Sequence, residues 1–439
     1  LFGSHEEFCK RYSLETVRSK VVSFTPEMLK EVRNDLLEYG MVNIRRTAWM
    51  HMMPDRTETI HTTRLSPQLQ KLYEALYNAT ISKIEGDPVL SKYWKEFAED
   101  VGAEDLDIDE NGFLLTILGR IDQFVSAPDS KMGGNIQDLI DEAQNAETAE
   151  EKKAAKEKLD GMGATLLRIR GAIENMPEMD RASPKVRKAA EIIDKHFADP
   201  SNVLKTEDGR EFEGKVIVFV SNVDTAKHFQ KYLPMLASSV TEAEIGFFKA
   251  DSKGRRALAE FKDPFSNMKV LCAVDAGLRE GHNLQVANRV IRGSLLWTPG
   301  AMEQTYARVY RPGTLANEVF IDIIVTENTL EVAKFGRLLS KYDAIQRVNS
   351  EFEDDSTEEL PPISMNIKNI ETYTSMSMLD EYMDRYNKAA EFDLAESKRL
   401  QAEYGSEFID RAGGRLPGAD LITGLLPYYD EEDAYRPVK

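Results

Sequence analysis

The 439-residue chain is 42% hydrophobic and 30% charged, and its 75 acidic side chains outnumber 56 basic ones to leave a net charge of −19. That balance fits a globular protein of two or three domains with ample core. It excludes a uniformly basic surface, and no apolar run is long enough to cross a bilayer.

Two cysteines, Cys9 and Cys272, lie far apart with no C-x-x-C companion. They support neither a disulfide framework nor a zinc site, and a reducing, intracellular compartment, cytoplasmic or nuclear, is expected. The first residue is Leu and no secretion signal is present, so the natural start is expected to lie upstream.

Within residues 1–80, Thr57, Thr59, His61 and Thr63 alternate with Glu58, Ile60 and Thr62, which predicts a strand. Ser66-Pro67 then opens a helix with Leu69, Leu72, Tyr73 and Leu76 on one side. Residues 81–200 read as almost wholly helical. Phe113 to Val125 (FLLTILGRIDQFV) is an apolar helix, Ala146 to Gly161 is polar enough to be an exposed arm, and Ser183-Pro184 opens a helix through Ile192 and Ile193. Residues 201–345 alternate short apolar runs with helical stretches, the pattern of an α/β domain with a parallel sheet. The expected strands are Val216 to Ser221, the stretch around Ile245 to Phe248, Lys269 to Val274, Arg289 to Ser294 and Val319 to Val325. Residues 346–439 form a mostly helical C-terminal extension without recognisable chemistry. It begins with an acidic run, Glu351 to Glu359, and ends near another, Asp430 to Asp433.

In open α/β sheets, ligands bind beyond the carboxyl ends of the strands. After the first expected strand come Ser221 and Asn222, with Asp224 or Thr225 as helix cap. After the second come Lys249, Lys253, Arg255 and Arg256. The third leads into a glycine-containing loop with Asp275, Glu280, Gly281 and Asn283. The fourth leads into LLWTPG and then EQTYARVYRPG, Glu303 to Gly313. On one continuous helix, Gln304, Arg308 and Arg311 would share a face. Two guanidinium forks on one face suit an arginine-finger role toward a γ-phosphate, although an isolated pair reads more readily as a solvated face with ordinary ion pairs.

Taken in order, these segments resemble the second RecA-like lobe of superfamily 2 helicases, and among them the Swi/Snf-type DNA translocases. The resemblance runs through KVIVFVSN, the stretch from Lys249 to Phe261, REGHNLQVAN and EQTYARVYRPG. LFGSHEEFCKRYS, IRRTAWMHMMPDRTE and LSPQLQKLYEAL extend it to the start of the chain. It implies a RecA-like parallel sheet flanked by helices, preceded by a helical protrusion and followed by the C-terminal extension. The division it implies is 1–80 as the end of a first lobe, a linker and the start of the protrusion, 81–200 as protrusion, 201–345 as second lobe and 346–439 as extension. It further implies ATP and Mg2+ as cofactors and double-stranded DNA as partner. Arg308 and Arg311, supported by Gln304, would reach ATP, and Glu280, Gly281 and Asp275 would line the nucleotide cleft. Ser221, Asn222, Lys249, Asn283 and Arg255 would lie near the DNA backbone.

The departures are as informative. The loop from Asp275 to Glu280 is one residue longer than the family form, Ala307 stands where Gly is usual, and Tyr310 where His is usual. His282 takes the place of an apolar residue, a structural substitution rather than an acid or base. Trp297 beside a proline is expected to pack. The sequence contains no G-x-x-x-x-G-K-[ST] and no D-E-x-[DH] after a strand, so the groups that cradle β- and γ-phosphates and hold Mg2+ must come from elsewhere. Two readings follow. One is the C-terminal portion of an ATP-dependent DNA translocase whose first lobe lies upstream or on a partner chain. The other is a catalytically inactive module that binds nucleic acid, or binds protein through its acidic extension. The divergent motifs also raise a phage or viral source.

Overall fold

Six parallel strands make the sheet on which the rest of the chain is built. The structure is a computed structural model that describes residues 53–86, 118–130, 161–206, 208–278, 282–311, 314–336 and 338–339, with 16–17, 20–21, 395 and 398–399. Cys9, the polar stretch 146–160, Glu280, Gly281 and both acidic runs lie outside the described residues.

The labelled elements, in chain order, are β1 (Asp55–Thr63), α1 (Pro67–Gly86), α2 (Gly161–Glu174), α3 (Pro184–Ala198), β2 (Val203–Lys205), β3 (Glu211–Glu213), β4 (Lys215–Val220) and α4 (Val223–Leu236). They continue with β5 (Ile245–Phe248), α5 (Ser252–Lys262), β6 (Val270–Val274), α6 (Asp275–Leu278), β7 (Ala287–Arg292), α7 (Pro299–Tyr306) and β8 (Glu318–Thr326). β2 and β3 pair as a small antiparallel hairpin. The main sheet has the order β1-β8-β7-β4-β6-β5. All five expected strands appear, with ends shifted by at most two residues. The sixth, β1, pairs in parallel with β8 over nine positions, from Asp55 opposite Glu318 to Thr63 opposite Thr326. The expected strand near residue 60 therefore belongs to this sheet as its edge, across more than two hundred residues of chain.

Continuous apolar runs form the central strands because both of their faces are covered, as parallel sheets require. Every residue of β4 is buried. On one face, Ile217, Phe219, Leu271, Val290, Ile321 and Ile323 pack with Phe248, Phe261, Met302 and Tyr306. On the other, Val216, Val218, Cys272 and Ile291 pack with Val186, Ala189 and Ile193 of α3 and Phe229 and Leu233 of α4.

Capping sets the helix starts. Ser183 accepts from the Val186 N–H at 3.2 Å with Pro184 at the first helical position, as the sequence predicts. In α4 the cap is Asn222, accepting from the Thr225 N–H at 2.8 Å, rather than Asp224 or Thr225. The strand ends one residue early, which places Asn222 at the boundary.

A third core joins α1 (Leu69, Tyr73, Leu76), the helical residues 118–126 (Ile121, Phe124, Val125) and α2 (Leu166, Ile169, Ile173) to Leu330. Polar contacts fasten the same residues to the sheet domain. The Leu330 N–H donates to the Tyr73 hydroxyl at 2.8 Å, and Lys334 pairs with Asp122 at 2.5 Å while lying 4.3 Å from the Trp297 ring centre. Trp297 thus packs, as expected. Lys185, fully buried, pairs with Glu331 and donates to the Gly293 carbonyl at 3.0 Å. Burial pushes the Lys185 pKa down and the Glu331 pKa up, and each partner opposes the shift of the other.

Asp129 ties the end of the 118–126 helix to α4. It meets His228 Nδ1 at 2.5 Å and accepts from the Tyr232 hydroxyl at 2.8 Å. The Ser183 N–H donates to His228 Nε2 at 3.1 Å, which leaves the imidazole proton on Nδ1. Both ring nitrogens are therefore committed, and this Asp–His pair is structural. Burial alone would raise the Asp129 pKa, but the hydrogen bonds from His228 and Tyr232 hold it at about 2. A carboxyl depressed in the fold contributes stability above its unfolded value of about 4 and loses it as pH falls through the folded value. Asp129→Asn should therefore lower the urea-unfolding midpoint at pH 7, with the difference from the parent shrinking as pH falls from about 4 toward 2. Equal midpoints at pH 7 would contradict this role.

Candidate functional site

The chain leaves β4 toward α4 and β5 but leaves β7 toward α7 and β8, so two neighbouring strands send their connections in opposite directions. Such a divergence opens a crevice at the carboxyl ends of the strands. The two strand ends are stitched together there. The Gly293 N–H donates to the Phe219 carbonyl at 2.9 Å, and the exposed Ser221 donates through its hydroxyl to the Leu295 carbonyl at 3.4 Å. A Cβ at Gly293 would lie 2.8 Å from the Phe229 ring and 3.1 Å from Val220, so only glycine lets strand and helix meet this closely.

The arginine segment differs from the expected single helix. α7 ends at Tyr306 and residues 307–309 form turns. The Arg308 N–H bonds Thr305 O at 3.2 Å and the Val309 N–H bonds Tyr306 O at 2.9 Å, both reaching back three residues rather than four. Val309 and Tyr310 are buried, and the Tyr310 N–H reaches back four residues to the Tyr306 carbonyl at 2.8 Å, so the segment mixes three- and four-residue turns. Gln304 is consequently exposed on the helix while Arg308 and Arg311 follow it, half-buried, on the turn.

That turn is joined to the loop after β6. The Leu284 N–H donates to the Arg308 carbonyl at 2.9 Å, and the Arg311 guanidinium donates to the Asn283 side-chain oxygen. The structure thus brings together Arg311, expected at ATP, and Asn283, expected near DNA. His282 packs edge-on to Phe248 with ring centres 6.2 Å apart. Its pKa is lowered by burial first and then by the positive charges of Lys262 and Arg308, so the ring is neutral at pH 7.

Asp275, expected at the nucleotide cleft, is turned inward. It is buried and pairs with fully buried Arg292 at 2.5 Å. Arg292 also donates to the Thr305 hydroxyl, which donates in turn to the Met302 carbonyl at 2.7 Å. One guanidinium therefore ties the end of β6, the end of β7 and α7 together. Asp275 and the Tyr306 ring hold it in its charged form against the pull of burial. Sequence reasoning passed over Arg292 as one residue of a strand. The signal was an Arg in the last position of an apolar run with an Asp closing the neighbouring run.

The residues expected near DNA occupy the same edge of the sheet less intimately. Lys249 is exposed and lies 3.4 Å from Asp251. Asp251 caps α5 by accepting from the Gly254 N–H at 2.8 Å, and a Cβ at Gly254 would fall 2.0 Å from the Lys249 carbonyl oxygen. The start of α5 is therefore pressed onto the Lys249 backbone, and it presents Lys253, Arg255 and Arg256 exposed. Asn222 spends its side-chain oxygen on the α4 cap. Among the described residues no group of three or more His, Cys, Asp or Glu side chains is arranged to hold a metal, and no helix is long and apolar enough to cross a membrane.

Residues 198–313 match the family model described as the helicase conserved C-terminal domain. The SNF2 domain-containing protein CLASSY 1 of Arabidopsis thaliana is 31% identical over 127 residues, which cover 28% of this chain and 10% of that protein. Among solved structures, the SWI2/SNF2 ATPase core of Sulfolobus solfataricus in complex with double-stranded DNA aligns at 18% identity and TM-score 0.41, covering 80% of this chain and 59% of that one. The C-terminal part of the Fun30 ATPase domain aligns at 14% identity and TM-score 0.37, covering 76% and 99% respectively. The six-stranded parallel sheet with its flanking helices is an α/β fold, as the sequence predicts. Over residues 198–313 the chain is thus similar to the helicase conserved C-terminal domain, and it spans only a tenth of the length of the SNF2 domain-containing protein it resembles.

Proposed function

We propose that this lobe is the C-terminal portion of an ATP-dependent translocase acting on double-stranded DNA, with Arg308 and Arg311 completing an ATP site held by a first lobe. The observation that carries this reading is the joining of two loops. The Leu284–Arg308 backbone bond and the Arg311–Asn283 side-chain bond hold the arginine turn against the loop that leads from β6 into β7. In ATP hydrolysis, water attacks the γ-phosphorus, the bond to the β–γ bridging oxygen breaks, and negative charge spreads over the oxygens in flight. Preorganised guanidinium groups stabilise that charge. Gln304, exposed one turn earlier, is assigned a supporting role to the same groups. Asp275 serves the site from beneath, through Arg292. Glu280 and Gly281 retain their proposed place at the nucleotide. The phosphate cradle and Mg2+, which supplies charge neutralisation when bound, belong to the first lobe.

Lys249, Arg255, Ser221, Asn222 and Asn283 are assigned to the DNA backbone. Exposed basic groups on a firmly seated helix suit sequence-independent phosphate contacts by a protein that slides. They also reconcile a net charge of −19 with an anionic partner, because the basic residues are local.

In a protein containing both lobes, Arg308→Ala and Arg311→Ala should each reduce DNA-stimulated ATP turnover by about 10³-fold or more with circular dichroism unchanged. Parent-like turnover in both variants would show that the arginines do not meet the nucleotide and would favour the inactive binding module. For this chain alone, Lys249→Ala and Arg255→Ala should each weaken binding to a duplex of arbitrary sequence. Each should also reduce the slope of log affinity against log salt by about 1, read by fluorescence anisotropy. An unchanged slope removes that residue from the DNA contact.

A further inference from the structure

The described structure contains one further guanidinium aimed at the arginine turn, and it comes from the far edge of the sheet. Arg56, on β1, donates to both carboxylate oxygens of Glu303 at 2.9 and 2.7 Å. Its side chain is only 7% exposed and also meets the Glu58 carboxylate at 2.6 Å. The guanidinium lies 5.4 Å from the Tyr306 ring centre and 5.2 Å from that of Tyr310. Glu303 and Tyr306 belong to α7, whereas Tyr310 immediately precedes Arg311. Arg56 therefore touches residues on both sides of the turn that carries Arg308.

We propose that Arg56 is a positioning residue that sets the place of the Arg308–Arg311 turn by clamping α7 and Tyr310 to the edge strand. The inference rests on the reading that these arginines meet the nucleotide. α7 has eight residues and is followed by turns, and so short a helix does not hold its own geometry. β1, by contrast, is registered to β8 along its whole length and makes a fixed post. A forked donor on that post constrains Glu303 in orientation as well as distance, which a lysine does not do. Arg292, also 5.4 Å from the Tyr306 ring, anchors the other end of the same device through Thr305. Strand alternation explains the choice of residue: Arg56, Glu58 and Ile60 share one face of β1, while Thr57 and Thr59 are exposed on the other.

The test combines two readouts on Arg56→Ala, Arg56→Lys and Glu303→Gln. The first is DNA-stimulated ATP turnover of the protein containing both lobes. The second is hydrogen exchange over residues 300–311 of this chain. Because a misplacement of about 1 Å can cost about 10²-fold in rate, Arg56→Ala should lower kcat by roughly 10- to 100-fold while KM for ATP stays within about twofold. Exchange over the turn should accelerate, and Arg56→Lys should recover only part of either loss. Glu303→Gln, a milder change on the more exposed side of the pair, should give the same pattern at smaller amplitude and replaces Arg56→Ala if that variant does not fold. Parent-like turnover and exchange in the Arg56 and Glu303 variants, with Arg308→Ala inactive, overturns the clamp alone. Parent-like turnover in Arg308→Ala instead overturns the nucleotide reading, and the clamp's catalytic consequence with it. The exchange data then still decide whether Arg56 holds the turn.

Discussion

The two-sided burial of the parallel strands governs the rest of this structure. β4 is buried throughout and flanked in parallel by β6 and β7, so no connection between neighbouring strands of the main sheet can be a hairpin. Each must cross a face of the sheet as a helix and return, which collects the loops at the carboxyl ends of the strands. The loops after β4 and β5 deliver Ser221 and Asn222, and Lys249 and Arg255, beyond the carboxyl ends of their strands, and the loop from β6 to β7 meets the arginine turn through Asn283 and Leu284.

Gathering polar loops above an apolar sheet leaves charges to be accommodated underneath, and two buried ion pairs do this. Arg292–Asp275 binds β6, β7 and α7 together, and Lys185–Glu331 binds α3 to the helical residues after β8. Such pairs add little net stability compared with well-packed apolar residues. Removing one member, however, leaves an uncompensated charge at a cost of about 3–5 kcal/mol. Their use is geometric: each fixes the relative position of elements that apolar packing alone would let slide. The helical residues 118–130 are held in the same way, through Asp122–Lys334 and Asp129–His228. Residues 118–130, within the segment read as a helical protrusion, are therefore seated on the sheet domain.

The sequence made the strands legible because a run such as KVIVFV has no other stable place than a two-sided core. It made the Ser183-Pro184 helix start legible because the cap and the proline are local chemistry. It did not show that Asp55–Thr63 joins the sheet, since parallel pairing with Glu318–Thr326 leaves no local mark and is decided by topology. It also misjudged the arginine helix. The spacing of Gln304, Arg308 and Arg311 is helical, but the segment mixes three- and four-residue turns. Asn222 was visible as a polar loop residue, and only the end of β4 decided that it, and not Asp224, would cap. The charged residues Arg56, Arg292 and Lys185 were hidden because Glu303, Asp275 and Glu331, which tie each of them to another element, lie outside their own segments.

The most direct test of the account is a double-mutant cycle between Asn283 and Arg311, read as the rate of DNA-stimulated ATP turnover by the protein containing both lobes. If the loop after β6 and the turn after α7 act as one unit that presents the arginine, Asn283→Ala should cost turnover in the parent and almost nothing further once Arg311 is alanine. Losses that multiply independently, or an Arg311→Ala variant as active as the parent, would contradict it.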